Sequence, residues 1–252
     1  MTTHVDIDDL TPAAAAAPQH SGLEQFTSLL AAAGPGQLDP HDVVAALARA
    51  VPRAADCALT VVRPGSTPRT LTAAGDLAGR VDALQHTTGE GPALDAVDGG
   101  HVCRVEDLAA SPWPEFGPRC AVLTGVRSLI SLRLRLHGRD RAALGLYFLE
   151  PHAFDVGDVD AAALFAPVAE LAVQTALYAK DTENLHEALQ TSRLIGTAIG
   201  IVMQRERVTS EAAFALLVRS SQHLNRKLRD IAAEVELTGT LPPVPADGAP
   251  PV

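Results

Sequence analysis

Aromatic side chains are scarce, 4% of 252 residues with a single Trp and two Tyr, so the 47% apolar fraction must build a mostly aliphatic core. That length and fraction suffice for one ordinary domain of about 150 residues and a smaller second one. Cysteine is scarcer still. Cys57, Cys103 and Cys120 are an odd set with no CxxC pair and no metal-ligand spacing, which argues against a disulfide framework or a cysteine metal site and predicts isolated, reduced thiols in a cytoplasmic protein. Asp6, Asp8 and Asp9 stand where a secretory signal would carry basic residues and an apolar run, so no signal is expected. Long apolar runs are also missing. The most apolar window, residues 161–179, contains Pro167, Glu170 and Gln174, which predicts a buried helix and no membrane partner.

What the chain does have is a charge asymmetry. Residues 191–230 hold seven Arg or Lys (Arg193, Arg205, Arg207, Arg219, Arg226, Lys227, Arg229) against three acids (Glu206, Glu211, Asp230), a local balance of +4. The whole chain is −10, so the remainder carries −14. A basic segment attracts polyanions locally even where the overall charge repels them.

In chain order, residues 1–20 include a proline-bounded alanine tract with little to bury and read as a disordered tail. Leu23, Phe26, Leu29 and Leu30 then recur at helical spacing, and a second helix starts at Asp39-Pro40 with Val43, Val44 and Leu47 inward. Strand patterns follow at 57–63, 69–74, weakly at 81–86, and at 101–105, 128–136 and 143–150, with a short helix near 114–123. Within 128–136, Leu132, Leu134 and Leu136 alternate with Arg133 and Arg135, a half-exposed strand with one solvated basic face; HGRDR forms the hairpin turn after it. A long helix begins near Gly157 and runs to Leu177, and past Lys180 no breaker stops it before Gly196. This order gives an α+β sheet domain over residues 21–180, a helical module over 181–241 and a proline-rich tail from 242 to 252.

The stretches TGEGPALDAV (88–97), VEDLAASPWPEF (105–116), GVRSLISLRL (125–134) and GLYFLEPHAFD (145–155) together resemble the GAF domain of actinobacterial regulators. The resemblance implies an antiparallel sheet flanked by helices with a pocket for a small-molecule effector, for which Trp113 and Phe116 are the candidate lining residues. The residues also admit a purely structural role, with Gly89 and Gly91 shaping a turn and Trp113 and Phe116 closing a core. No haem ligand can be chosen from His86, His101, His137 and His152, and no cofactor or metal is expected. One GAF branch reduces methionine sulfoxide with cysteines; here Cys57 and Cys103 fall in strand patterns and Cys120 on a short apolar helix, which predicts buried, inert thiols and no catalytic residue.

In the basic segment Leu185, Leu189, Ser192, Gly196, Ile199 and Met203 are spaced by alternating fours and threes, a heptad seam suited to a dimer or to packing within one chain. Thr209 or Ser210 caps a second helix with Phe214, Leu217, Ser220 and Leu224 on one side, and Asn225 is expected to cap a third with Leu228, Ile231, Ala232 and Val235 inward. SRLIGTAIGIVM (192–203), EAAF (211–214) and SSQHLNRKLRDIA (220–232) resemble the ANTAR domain, the RNA-binding output module of transcription antiterminators. The fold class is thus a GAF-type antiparallel sheet domain followed by a small three-helix ANTAR module. The resemblance implies a homodimer holding tandem stem-loop leader RNA so that the terminator hairpin does not form. The candidate RNA contacts are Arg193, Ala198, Gly200, Arg205, Arg207, Arg219, Asn225, Arg226, Lys227 and Arg229. Many family members have Lys between the two small positions, where this chain has Ile199. Three short helices with a basic third one also suit a DNA major groove, and a sensor acting only through protein partners stays open.

Overall fold

The computed structural model describes residues 2–5, 20–32, 38–63, 66–98 and 102–243, and the chain forms two units, residues 1–178 and 179–252. The first unit is built on an antiparallel sheet of β1 (Thr2–Val5), β2 (Asp56–Val62), β3 (Arg69–Ala73), β4 (Val102–Val105), β5 (Ser128–Leu134) and β6 (Arg141–Phe148), in the spatial order β1-β4-β5-β6-β2-β3. Its helices are α1 (His20–Ala32), α2 (Pro40–Ala50), α3 (Leu77–Thr88), α4 (Pro92–Asp98), α5 (Phe116–Thr124) and the start of α6 (Val156–Glu206). Thr2–Val5, expected in a disordered tail, instead pair antiparallel with Val102–Val105 along the outer edge of β4. A row of unpaired edge groups recruits even a short segment without apolar alternation. The rest of that expected tail, 6–19, and residues 244–252 of the other lie outside the described residues.

Two apolar layers sandwich the sheet. On one face Val43, Val44 and Leu47 of α2 and Phe165, Ala169 and Val173 of α6 pack on Leu59, Ile130, Leu132, Leu144, Leu146 and Phe148. On the other, Ala78 and Val81 of α3 and Phe116 and Cys120 of α5 meet Ala58, Cys103, Val105, Leu129 and Tyr147. The stretch 81–86, whose pattern suggested a weak strand, belongs to α3. Its buried positions Ala78, Val81, Asp82 and Gln85 recur at three, one and three, one helical face, and Gly89 ends the helix at φ 69.

The second face is attached through side chains that accept backbone N–H groups. Asp56, 2% exposed, accepts from Cys57, Gly75 and Ala78, each at 2.8 Å, and so caps α3, since Asp76 at its N-cap makes no side-chain cap bond. Asp82 of α3 accepts from the hydroxyls of Thr60 and Thr70 and from Gln85 Nε2, while Gln85 Oε1 accepts from Ala93 N–H at the start of α4. Glu90 Oε2 accepts from Glu115 and Phe116 N–H at 3.0 and 3.1 Å and caps α5. The GEGP turn is therefore a fastening. A Cβ at Gly91 would stand 2.5 Å from Gln85 Oε1, so the turn closes only on glycine. Replacing Glu90 with Ala should lower stability by about 1–2 kcal/mol through loss of the α5 cap, measured by urea unfolding against Glu115→Ala as control.

Candidate nucleic-acid interface

In the second unit, α6 from Ala179 onward packs with α7 (Ser210–His223) and α8 (Leu228–Thr238). The core is Ala198 and Val202 of α6, Ala213 and Leu217 of α7, and Ile231, Ala232 and Val235 of α8. Thr209 caps α7, its hydroxyl accepting from Ala212 N–H at 3.4 Å. Hydrogen bonds from its own N–H and from Thr209 hold the Glu211 carboxyl below its ordinary pKa in the first turn. Gly239, φ 72, ends α8.

Three expectations are corrected here. Ala198 is fully buried, because its small side chain is the point at which α6 meets the other two helices, so it cannot offer a contact surface to RNA. Asn225 does not cap α8. It sits at φ 48, a left-handed turn conformation Asn tolerates, and Arg226 N–H reaches Ser221 O at 3.0 Å. Lys227 occupies the N-cap and its carbonyl takes Asp230 N–H at 2.9 Å. Phe214 is 43% exposed, the inward position being taken by Ala213.

The seam residues divide into two groups. Leu185 and Leu189 are each 62% exposed, and Ser192 and Gly196 are exposed too. Ile199 and Met203 are partly buried against the three-helix core. Apart from the helix's own backbone, nothing among the described residues comes within 4 Å of a Cβ built at Gly196 or Gly200, so none of their packing requires glycine at either. Ser192, Gly196 and Ile199, with Asn184, Thr191 and Ile195, form an open groove whose far side is Arg229. The groove joins residues read separately as dimer seam and as RNA contacts, and Arg229 supplies a cation beside Ile199.

The basic side chains differ in how free they are. Arg226 is paired with Glu234 at 2.6 Å, Arg229 lies 3.6 Å from its neighbour Asp230, and Arg205 donates to Gly239 O at 3.2 Å. Arg193, Arg207, Arg219 and Lys227 are exposed, and none has an ion-pair partner among the described residues. Arg207, at φ 55, stands in the turn that leads into α7. Residue spacing shows the cations but not the Arg226–Glu234 pair, which depends on how the 224–227 turn folds back on α8.

The effector candidates lie in the first unit's second core. Trp113 is 5% and Phe116 0% exposed, their rings 6.0 Å apart edge to face, and Trp113 Nε1 donates to Asp95 at 3.0 Å. His86, His137 and His152 are exposed, His152 lying 3.3 Å from Glu106, and His101 is outside the described residues. Among the described residues no group of His, Cys, Asp and Glu could hold a metal ion, and no helix is long and apolar enough to cross a membrane. All three cysteines are free and buried. Burial pushes the Cys57 and Cys103 thiols up to about 12 and Cys120 to about 11.

The two units are thus a sheet domain with helices on both faces and a three-helix module that carries the cations Arg193, Arg207, Arg219 and Lys227 on its surface. A family model of the GAF domain matches residues 37–174 and one of the ANTAR domain matches residues 183–235. The chain belongs to the GAF domain family and carries an ANTAR domain behind it, which makes it a signal-regulated antitermination regulator with an RNA-binding domain. No curated protein matches it. Similar solved structures include the GAF domain of a phosphoenolpyruvate-protein phosphotransferase from Coxiella burnetii (19% identity, 66% of this chain and 97% of that chain, TM-score 0.47). Another is the free methionine-R-sulfoxide reductase of Neisseria meningitidis (19% identity, 60% and 88%, TM-score 0.42).

Sensing and regulation, not catalysis, are what the two domains support. At pH 8 a thiol with a pKa of about 12 is thiolate to roughly one part in ten thousand. The native protein should therefore leave Cys57, Cys103 and Cys120 unlabelled by iodoacetamide while glutathione alkylates fully, and urea should release all three, as read by mass spectrometry.

Proposed function

We propose that two copies of the chain associate through the exposed Leu185–Leu189 side of α6 and that each helical module holds one stem-loop of a tandem leader RNA. With both stem-loops held, the competing terminator hairpin does not form. A small effector bound by the sheet domain alters the helix pairing. The reading is supported above all by four cations without acid partners, Arg193, Arg207, Arg219 and Lys227, around a closed core, together with the bare Gly196–Gly200 stretch. Guanidinium groups hold backbone phosphates and stack on unpaired loop bases, and an exposed glycine backbone lets a loop come close. Arg229, across the groove from Gly196, takes over the cation role that Ile199 does not fill.

The full chain should bind a two-hairpin leader RNA more tightly than duplex DNA of equal length at matched salt. Equal or stronger duplex binding overturns the RNA reading in favour of a DNA-binding regulator. Lys227→Ala should weaken RNA binding about tenfold and reduce the salt slope by about one. Arg226→Ala should cost less, because Glu234 already neutralises that guanidinium. Leu185→Lys combined with Leu189→Lys should give a monomer in light scattering, and an unchanged dimer would remove the seam from the mechanism.

A further inference from the structure

Five of the first unit's arginines, Arg63, Arg133, Arg135, Arg139 and Arg141, gather at one end of its sheet, for which the RNA reading has no use. Residues 1–178 contain twelve arginines, no lysine and twenty-one acids. Away from this end three arginines pair with acids, Arg53 with Asp155 and Asp158, Arg119 with Glu115 and Arg127 with Asp107, while Arg49 and Arg80 donate to Gln25 and to Leu123 O. At the β5–β6 turn the cations crowd together. Leu134 is buried in the first core and Leu136 packs against it, so strand alternation sends Arg133 and Arg135 to the opposite face. Arg133, Arg135, Arg139 and Arg141 line one concavity around the turn at Gly138; Asp140 on its lining lies 3.3 Å from Arg63, and a second carboxylate, Glu170, reaches the turn from α6. Arg133, Arg135 and Arg139 have no acid partner among the described residues.

In a unit where acids outnumber arginines, the crowding of Arg133, Arg135 and Arg139 without ion-pair partners among the described residues is not a shortage of counter-charge. Like charges held together raise the energy of the free protein, and a bound anion removes that cost. The turn is also fixed in place. Glu170 Oε1 accepts Arg135 N–H at 2.7 Å and Gln174 Oε1 accepts His137 N–H at 2.6 Å, one turn apart on α6. A ligand there meets a positioned backbone and has only side chains to order.

The geometry points to a binding site for a compact oligophosphate, a small molecule carrying two or more linked phosphoryl groups. Planar guanidinium forks match phosphate oxygens two at a time, which a single carboxylate-sized anion would not saturate across several arginines. The concavity belongs to one hairpin, a footprint suited to a compact ligand and too small for a nucleic-acid helix. This site is independent of the RNA reading.

The test is calorimetric titration of the full chain with inorganic tripolyphosphate at about 0.15 M salt, where surface charges are screened beyond about 8 Å. Saturable binding is expected, weakened at least about tenfold in Arg135→Gln combined with Arg139→Gln, both exposed positions, with an unchanged melting temperature. Arg226→Gln combined with Lys227→Gln should leave tripolyphosphate binding intact while weakening RNA binding, so failure of either reading shows separately. Absence of saturable binding, or equal binding by the hairpin variant, overturns the site. So does a hairpin variant that loses affinity for the leader RNA without wild-type binding of tripolyphosphate, which would make this end an RNA surface.

Discussion

The buried Asp56 carboxylate is the constraint on which the sensory half depends. A carboxylate out of water is tolerated only when its oxygens are satisfied, and here three backbone N–H groups at 2.8 Å do so. Satisfying it fixes where β2 begins, where the chain turns after β3 and where α3 begins. From there the constraint passes along the chain: α3 brings Asp82 to two threonines and Gln85 to the start of α4, and the following turn brings Glu90 to the start of α5. Three helices are thus hung on the sheet by side chains that serve as other helices' missing acceptors. The aliphatic layer beneath supplies the burial, and these bonds supply the register.

That arrangement explains why Trp113 and Phe116 are core residues in this conformation. Both lie between the elements that Glu90 and Gln85 fasten.

Much of the fold could be read from residues alone, because strand alternation in 128–136, the Asp39-Pro40 start and the Thr209 cap of α7 are local signals. What escaped was tertiary. Thr2–Val5 have no pattern of their own and become a strand only because β4 offers an edge. Val81–His86 is too short for its period to be decided, and only the placement of Asp82 and Gln85 reveals a helix. In the module the charges were legible but their partners were not: Arg226 meets Glu234 and Ala198 turns inward through packing of three helices. The basic face of Arg133 and Arg135 was visible as alternation, while its lack of acid partners was not.

Gly196 and Gly200 have a further thermodynamic meaning. Glycine within a helix costs about 1 kcal/mol relative to alanine, and the open space around both positions shows that no contact among the described residues recovers it. The two glycines thus weaken this stretch of the helix's own backbone ladder. Any molecule laid along that side gains affinity from contact and loses some by ordering the helix. Affinity and helix order are then linked quantities, and amide exchange at residues 192–204 becomes a direct gauge of occupancy.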